Sequence, residues 1–276
     1  MTDKKFSTFD VPSKPNSIIR PAETVGFKEL VPLTLNDRRT LNLLIACAWD
    51  NFTDATFEHR VPIADIKYTD KSNAVLNKTV DNLMGATVEL RIRRDGQEYL
   101  RKASILTRID RPIGAGDAYL YYKFSEDLID AVRDSSVYAR LRKDLMLQIS
   151  SKYALALYEI LQSLRNLKYQ QTLRLSIEEW RIRLGVAEGS LPRYANFKQR
   201  AFVPAVAELN QIGDLRIEYA EIKTGRKVKD IEVLWVAKTP AEIVAAIREL
   251  SASRVGRNAR RAGTVESTVT NSDSEK

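Results

Sequence analysis

The sequence is poor in the side chains that most often carry covalent or metal chemistry. Its 276 residues include one cysteine and one histidine. A single cysteine forms no internal disulfide, and a single histidine cannot supply the paired histidines of a relaxase-type metal site. Cys47 lies in the string Leu-Ile-Ala-Cys-Ala-Trp, which is typical of a buried helical face, so we expect it in the core. His59, between Glu58 and Arg60, is expected in a loop or at a helix end.

Long apolar runs and nucleotide-binding loops are also missing. The longest apolar run, from Leu41 to Trp49, is far short of the roughly 20 residues of a transmembrane helix. The first ten residues show no apolar stretch with a small-residue cleavage site, so we expect a cytoplasmic location. No Gly-x-x-x-x-Gly-Lys run occurs, which excludes the usual ATPase phosphate loop. We therefore expect no enzyme activity, no metal, no cofactor and no membrane partner.

The charge balance is positive and uneven. The chain has 44 Lys and Arg against 36 Asp and Glu, a formal net charge of +8 and a pI near 9.4. Between Lys152 and Lys238 there are 15 basic and 10 acidic residues, so most of the excess lies in the second half. Such an excess suits a polyanionic partner. We expect the surface for that partner in the second half.

Hydrophobic periodicity predicts an α+β chain of two tandem winged-helix domains, each with helices followed by a small antiparallel sheet. In the first half, three-and-four apolar spacing predicts helices at 34–52 and 72–84, and period-two runs predict strands at 87–93, 99–109 and 118–124. The predicted domains are a loose leader (1–30), a first winged helix (31–148), a second winged helix (149–240) and a tail (241–276) that starts as a helix and becomes disordered.

The second half repeats this order around a helix-turn-helix. Ser176 is placed to cap a helix in a capping box with Glu179, and Gly185 is placed to end that helix. The final two strands form a hairpin, which is the wing of a winged helix. The predicted elements are helices at 151–167, 177–184 and 193–212, and strands at 172–175, 215–222 and 228–236.

The helix at 193–212 carries side chains suited to reading DNA. In a helix-turn-helix the second helix enters the major groove, and its N-terminal residues reach the base edges. At 100° per residue, Tyr194, Phe197 and Ala201 share a face that is expected to pack, while another face points outward. Arginine bonds bidentately to guanine, and asparagine or glutamine to adenine. The candidate DNA-binding residues of this helix, hereafter the reading face, are Arg193, Asn196, Lys198, Gln199 and Arg200.

Two further groups of residues are candidate DNA contacts, although charged groups of this kind are also ordinary solvated surface. The first group, hereafter the basic wing, clusters at the predicted hairpin turn where it would lie along phosphates: Lys223, Arg226, Lys227 and Lys229. The equivalent helix of the first half offers a secondary group whose members are also common helix caps: Lys71, Ser72, Asn77 and Lys78.

A series of strings in the second half resembles one protein family. The strings are Ser-Lys-Tyr-Ala-Leu-Ala-Leu-Tyr-Glu at 151–159, Ser-Ile-Glu-Glu-Trp-Arg at 176–181, Leu-Gly-Val at 184–186 and Pro-Ala-Val-Ala-Glu-Leu-Asn at 204–210. In this order and spacing they resemble the initiators of iteron-bearing plasmids, the Rep family of RepE-like and RepA-like proteins with two winged helices. The resemblance is good across about 150–237 and is architectural across 30–148.

The resemblance implies a bacterial protein that binds direct repeats, called iterons, at a plasmid origin as a monomer. It implies that the protein assists melting of nearby AT-rich DNA and recruits the host helicase or initiator. It also implies a homodimer, formed through the first domain, that represses its own gene at an operator inverted repeat, and chaperones that favour the monomer. Two alternatives stay open: a winged-helix transcriptional regulator without a replication role, and a protein-binding scaffold whose basic face is incidental.

Overall fold

The chain is built from helices and antiparallel strands. The computed structural model describes residues 6–67, 73–113, 118–165, 167 and 171–264. The helices are α1 (Leu35–Ala48), α2 (Ile63–Ile66), α3 (Asn73–Met84), α4 (Glu126–Val132), α5 (Lys143–Gln148), α6 (Lys152–Arg165), α7 (Ile177–Arg183), α8 (Tyr194–Phe197), α9 (Val203–Ile212), α10 (Pro240–Ser251) and α11 (Arg254–Arg261). The strands are β1 (Ser17–Pro21), β2 (Lys28–Glu29), β3 (His59–Pro62), β4 (Thr87–Arg94), β5 (Gln97–Ser104), β6 (Leu106–Asp110), β7 (Tyr119–Phe124), β8 (Tyr138–Arg142), β9 (Thr172–Ser176), β10 (Leu215–Thr224) and β11 (Lys227–Ala237).

The first winged helix is built around α1 and α3. Thr34 begins α1 with a capping box, in which its hydroxyl accepts from the Asp37 backbone N–H (3.2 Å) and the Asp37 carboxylate accepts from the Thr34 N–H (2.8 Å). α3 leads into the β4–β5 hairpin, whose turn residues Asp95 and Gly96 both have positive φ (52° and 79°), as a tight hairpin turn requires. Two three-stranded antiparallel sheets of this half have the strand orders β2-β4-β5 and β3-β7-β6.

The second winged helix is built on a sheet in which β11 lies between β10 and β9. Ser176 begins α7 with the predicted capping box, because its hydroxyl accepts from the Glu179 N–H (3.2 Å) and the Glu179 carboxylate accepts from the Ser176 N–H (3.0 Å). The indole N–H of the fully buried Trp180 donates to the Ile231 carbonyl (3.0 Å) and fixes α7 across β11. The predicted fold class, two tandem winged helices, is confirmed.

A buried cluster of charged side chains joins α6 to the first half. The Glu159 carboxylate on α6 accepts from the Asn42 amide of α1 (2.6 Å) and pairs with the Arg20 guanidinium of β1 (3.1 Å). Arg38 on α1 also approaches the Glu159 carboxylate (3.7 Å). All four residues are at least 95% buried. Since an unpaired buried charge is very costly, their mutual pairing specifies how α1, β1 and α6 pack.

The end of α7 rests directly on this cluster. Gly185 has φ +70°, and a Cβ atom built on it would overlap Arg38 Nη2 and would lie 2.9 Å from Glu29 Oε2. Arg38 and Glu29 form an ion pair with an N···O distance of 2.5 Å. Lys152 donates to the Gly185 carbonyl (2.9 Å) from α6. The turn of the helix-turn-helix is therefore in contact with charged side chains of the first half.

The first 30 residues differ from the loose leader that the sequence predicts. From residue 6 onward they are packed: β1 pairs antiparallel with β8, and Ile18 and Ile19 are buried. The Trp49 indole N–H donates to the Val11 carbonyl (2.9 Å). The partner strand β8 lies within the segment 127–152, which the family resemblance implies is a long connector between the domains and which also contains α5. Local periodicity could not reveal this pairing because the two strands are far apart in the chain.

Three expectations about single elements in the first half are also wrong. Cys47 is exposed, since it lies on the narrow outward arc of α1. His59 begins strand β3 and is buried beside Tyr122 and Phe124, with ring centroids 5.4 and 6.0 Å away. The strand predicted at 99–109 is two strands, β5 and β6, interrupted at Ile105, whose N–H donates to the Ala86 carbonyl (3.1 Å). The sequence Gly-Ala-Gly at 114–116 predicts a turn between the strands at 99–109 and 118–124, and it lies outside the described residues.

The tail is ordered further than the sequence predicts. α11 follows α10 and packs against α9. Arg257 is 3% exposed, and its guanidinium donates to the Gln148 side chain (2.9 Å) and to the Leu250 carbonyl (3.4 Å). Arg260 makes two bonds with Glu249 (2.7 and 2.6 Å). These acceptors lie outside the arginine-rich segment 254–261. The composition of that segment alone therefore did not indicate a folded helix.

Candidate nucleic-acid interface

The helix-turn-helix of the second half is held by side chains of α7. Gly185 ends α7 in the left-handed conformation, and the chain then turns through residues 186–193. The Arg181 guanidinium donates to the carbonyls of Ser190 (3.2 Å) and Pro192 (3.1 Å). It also lies over the Phe197 ring, 5.1 Å from the centroid. One arginine thus ties the turn to the start of the next helix.

The helix after the turn has a packed face and an open face, as predicted. Phe197 and Ala201 are fully buried and Tyr194 is half-buried. Three members of the reading face are exposed and two are half-buried. The exposed members are Arg193, Gln199 and Arg200, and the half-buried members are Asn196 and Lys198. The five candidate residues therefore lie at the N-cap and on the first two turns of this helix, and all of them are at least partly exposed.

The β10–β11 hairpin places the basic wing at its tip. Its two-residue turn consists of Gly225, with φ +61°, and Arg226, and the strands shift register between Ile222 and Lys223. A positive φ at the first turn position is the conformation that glycine adopts without cost. All four members of the basic wing are exposed: Lys223, Arg226, Lys227 and Lys229.

Glu221 connects the reading face to the wing. Its carboxylate accepts from the Tyr194 hydroxyl (2.7 Å) and pairs with the Lys198 ammonium (2.6 Å). The hydrogen bond from Lys198 holds the pKa of Glu221 below its usual range, and the same bond raises the pKa of Lys198. The start of the reading helix is thereby fastened to β10 close to the hairpin tip.

This connection has two consequences for the predicted site. Lys198 is paired with Glu221, so it is less available to a phosphate than Arg193 or Arg200. Glu221 itself was missed by sequence reasoning. Its hydroxyl partner, Tyr194, lies 27 positions away in the chain, and no local pattern signals a contact over that separation.

The secondary candidates of the first half are only partly described. Asn77 is half-buried and Lys78 is exposed on α3. Lys71 and Ser72 lie outside the described residues. α3 is followed by the β4–β5 hairpin, so helix and hairpin stand in the same order as in the second half.

The described part of the chain holds neither a group of metal-ligating side chains nor a helix that could span a membrane. There, no group of three or more His, Cys, Asp or Glu side chains could hold a metal ion. None of the described helices combines the length and the apolar character of a bilayer-spanning segment.

Comparisons with known proteins agree with the two-winged-helix architecture. The family model for the first winged helix (WH1) of initiator replication proteins matches residues 25–162, and the model for the second (WH2) of initiator Rep proteins matches residues 176–235. One similar solved structure is the Pi initiator protein in complex with iteron DNA, with 16% identity and a TM-score of 0.58 over 82% of this chain and 99% of that chain. At this identity the likeness shows the fold. No curated protein sequence matches the chain.

Proposed function

The chain belongs to the initiator Rep protein family, and from that premise we propose that it initiates plasmid replication by binding the double-stranded iterons of the origin. The observation that carries the proposal is the meeting of the reading face and the basic wing at one end of the second winged helix. Glu221 fastens the helix to the hairpin, so the two groups act as one surface. The iteron complex of the structurally similar Pi protein supports the same choice of ligand.

The two parts of this surface have different tasks. We expect the reading face to lie in the major groove, where Arg193 and Arg200 can bond guanine and where Asn196 and Gln199 can bond adenine. We expect the basic wing to follow the phosphates, which fixes orientation and gives salt-dependent affinity. Of the secondary group, Asn77 and Lys78 on α3 would contact a neighbouring stretch of the same duplex, with Lys78 as the exposed cation.

The later steps of initiation follow from the family resemblance. The protein would bind iterons as a monomer and assist melting of the adjacent AT-rich DNA. Without an ATPase phosphate loop in the sequence, we assign the free energy for that melting to DNA binding. The bound monomer would then recruit the host helicase or initiator. A homodimer formed through the first domain would repress the protein's own gene at an inverted repeat, and chaperones would favour the monomer.

A transcriptional regulator with the same fold is the second candidate function. It would use the same surface but would bind a single inverted repeat rather than an array of direct repeats. A scaffold with an incidental basic face is a third candidate. It predicts weak binding to any duplex, with no preference for sequence.

Binding of the purified chain to four duplexes separates these functions. The duplexes carry one direct repeat of the origin, several direct repeats, an inverted repeat, or a scrambled sequence of equal length. We expect the number of bound copies to rise with the number of direct repeats, and log affinity to fall with log salt at about 0.9 per phosphate contact. Preference for the inverted repeat alone would instead indicate a regulator. Equal binding to every duplex would refute sequence-specific recognition.

A further inference from the structure

A π-helical turn interrupts the reading helix. Residues Lys198–Phe202 are wound as π-helix between α8 and α9. The Val203 N–H donates to the Lys198 carbonyl, five residues back, where an α-helix would use the residue four back. Single π turns are rare and occur frequently at functional sites. This one contains the C-terminal half of the reading face.

Pro204 explains why the helix widens here. Proline has no N–H, so it cannot donate to the carbonyl of the residue four positions earlier, which is Arg200. In a regular α-helix the proline ring would also collide with that carbonyl. A wider turn immediately before Pro204 moves the carbonyl away and lets the chain continue as α9. The helical run from Tyr194 to Ile212 therefore contains a proline without a break.

The wider turn also determines which side chains face the core. Phe197 and Phe202 are both fully buried, and their ring centroids are 6.1 Å apart. Residues five apart in a regular α-helix point about 140° away from each other, and the extra residue of the π turn brings the two rings toward one face. Phe202 packs against Trp180 at 5.5 Å and Tyr219 at 5.3 Å, in edge-on geometry. These aromatic contacts hold the first turns of the helix at a fixed rotation relative to α9.

We propose that Pro204 is a specificity-determining positioning residue, which through the π turn sets the rotation of the reading face and hence the base edges that it meets. A π turn adds one residue to the helix, which is equivalent to about 100° of rotation relative to an unbroken α-helix. A shift of that size would turn a side chain from the groove floor toward the phosphates. The inference rests on the proposed function, because it presumes that the reading face reads bases.

The test compares Pro204→Ala with a matched control, Pro240→Ala. Pro240 is the first residue of α10, where no N–H is required within the helix. For each protein we would measure affinity for the cognate repeat and for scrambled duplex, together with the sequences selected from a randomised duplex pool. Pro204→Ala should fold with an unchanged or higher Tm and bind scrambled duplex normally. Its affinity for the cognate repeat should fall at least about tenfold, with a changed selected sequence, whereas Pro240→Ala should match the parent.

A second readout follows the turn itself. The Pro204→Ala variant gains a backbone N–H at position 204, which should donate to the Arg200 carbonyl and become protected from amide hydrogen exchange. Protection of that amide with unchanged base preference would overturn the proposal, because the turn would then have changed without effect. An unprotected amide with unchanged preference would overturn it as well, because Pro204 would not set the turn. Should the alanine variant fold poorly, Pro204→Ser supplies the same N–H.

Failure of this inference is distinguishable from failure of the proposed function. Asn196→Ala and Arg200→Ala in the parent chain test the reading face directly. If both leave the preference for the cognate repeat unchanged, the reading face does not read bases. If either lowers that preference while Pro204→Ala does not, only the role of Pro204 is refuted.

Discussion

Substitution of Gly185 by alanine should destabilise the protein strongly, for two separable reasons. The residue has φ +70°, where an L side chain costs about 1–2 kcal/mol. Its new Cβ would also overlap Arg38 Nη2 and would lie 2.9 Å from Glu29 Oε2. The ion pair of these two residues is buried and cannot move away freely, so we add the overpacking cost of about 1–3 kcal/mol. The expected loss in the free energy of unfolding is about 2–5 kcal/mol.

Gly189→Ala is the matched control for this prediction. Gly189 lies in the same turn with φ +74°, but a Cβ on it would meet nothing within 4 Å. It should therefore lose only the backbone term of about 1–2 kcal/mol. Urea unfolding of both variants measures the difference between their free energies of unfolding, provided that the slope m of free energy against urea concentration is the same for both. Equal losses for the two variants would refute the idea that the turn is packed against the Arg38 and Glu29 pair.

Three further predictions concern charged or titratable side chains. Lys227→Ala in the basic wing should weaken binding to cognate and scrambled duplex alike and reduce the slope of log affinity against log salt by about 0.9; a loss confined to the cognate duplex would contradict a phosphate contact. Burial lowers the pKa of His59 below its usual value. The neutral imidazole therefore contributes its full stabilisation of the fold above about pH 6.5, and this stabilisation is lost as the pH falls from about 6.5 through the pKa of the folded state. His59→Phe should flatten the decline in stability between about pH 7.5 and 5.5, and an unchanged profile would show that His59 does not cause it. Arg257→Ala should lower the free energy of unfolding by about 1–3 kcal/mol, because it removes a buried side chain together with its hydrogen bonds to Gln148 and Leu250; a value near zero would mean that α11 does not pack in solution.

The parts of the fold that sequence predicts are those with local signals. The predicted capping box of Ser176 and Glu179 involves residues three positions apart. The order of α7, turn, reading helix and hairpin follows from apolar period and from Gly185. Arg193 and Asn196 could be chosen from the 3.6-residue period alone because they precede the π turn, whereas Lys198, Gln199 and Arg200 lie within it.

The parts that sequence misses depend on distant partners. β1 is a strand because β8 supplies its hydrogen bonds, and β8 lies more than 100 positions away. α11 packs because Gln148 and Glu249 accept from its arginines, although its own composition resembles a disordered tail. The π turn is a further case: Pro204 indicates a disturbed helix, but only the hydrogen bond from the Val203 N–H to the Lys198 carbonyl shows that the helix widens and continues.

Arg200→Ala tests the central claim most directly, because Arg200 is an exposed member of the reading face. The measurement is competition binding of the parent and the variant to cognate repeat and to scrambled duplex at one fixed salt concentration. We predict that the variant loses about 1–3 kcal/mol of binding free energy on the cognate repeat and far less on the scrambled duplex. Equal losses on the two duplexes would contradict base reading by this helix.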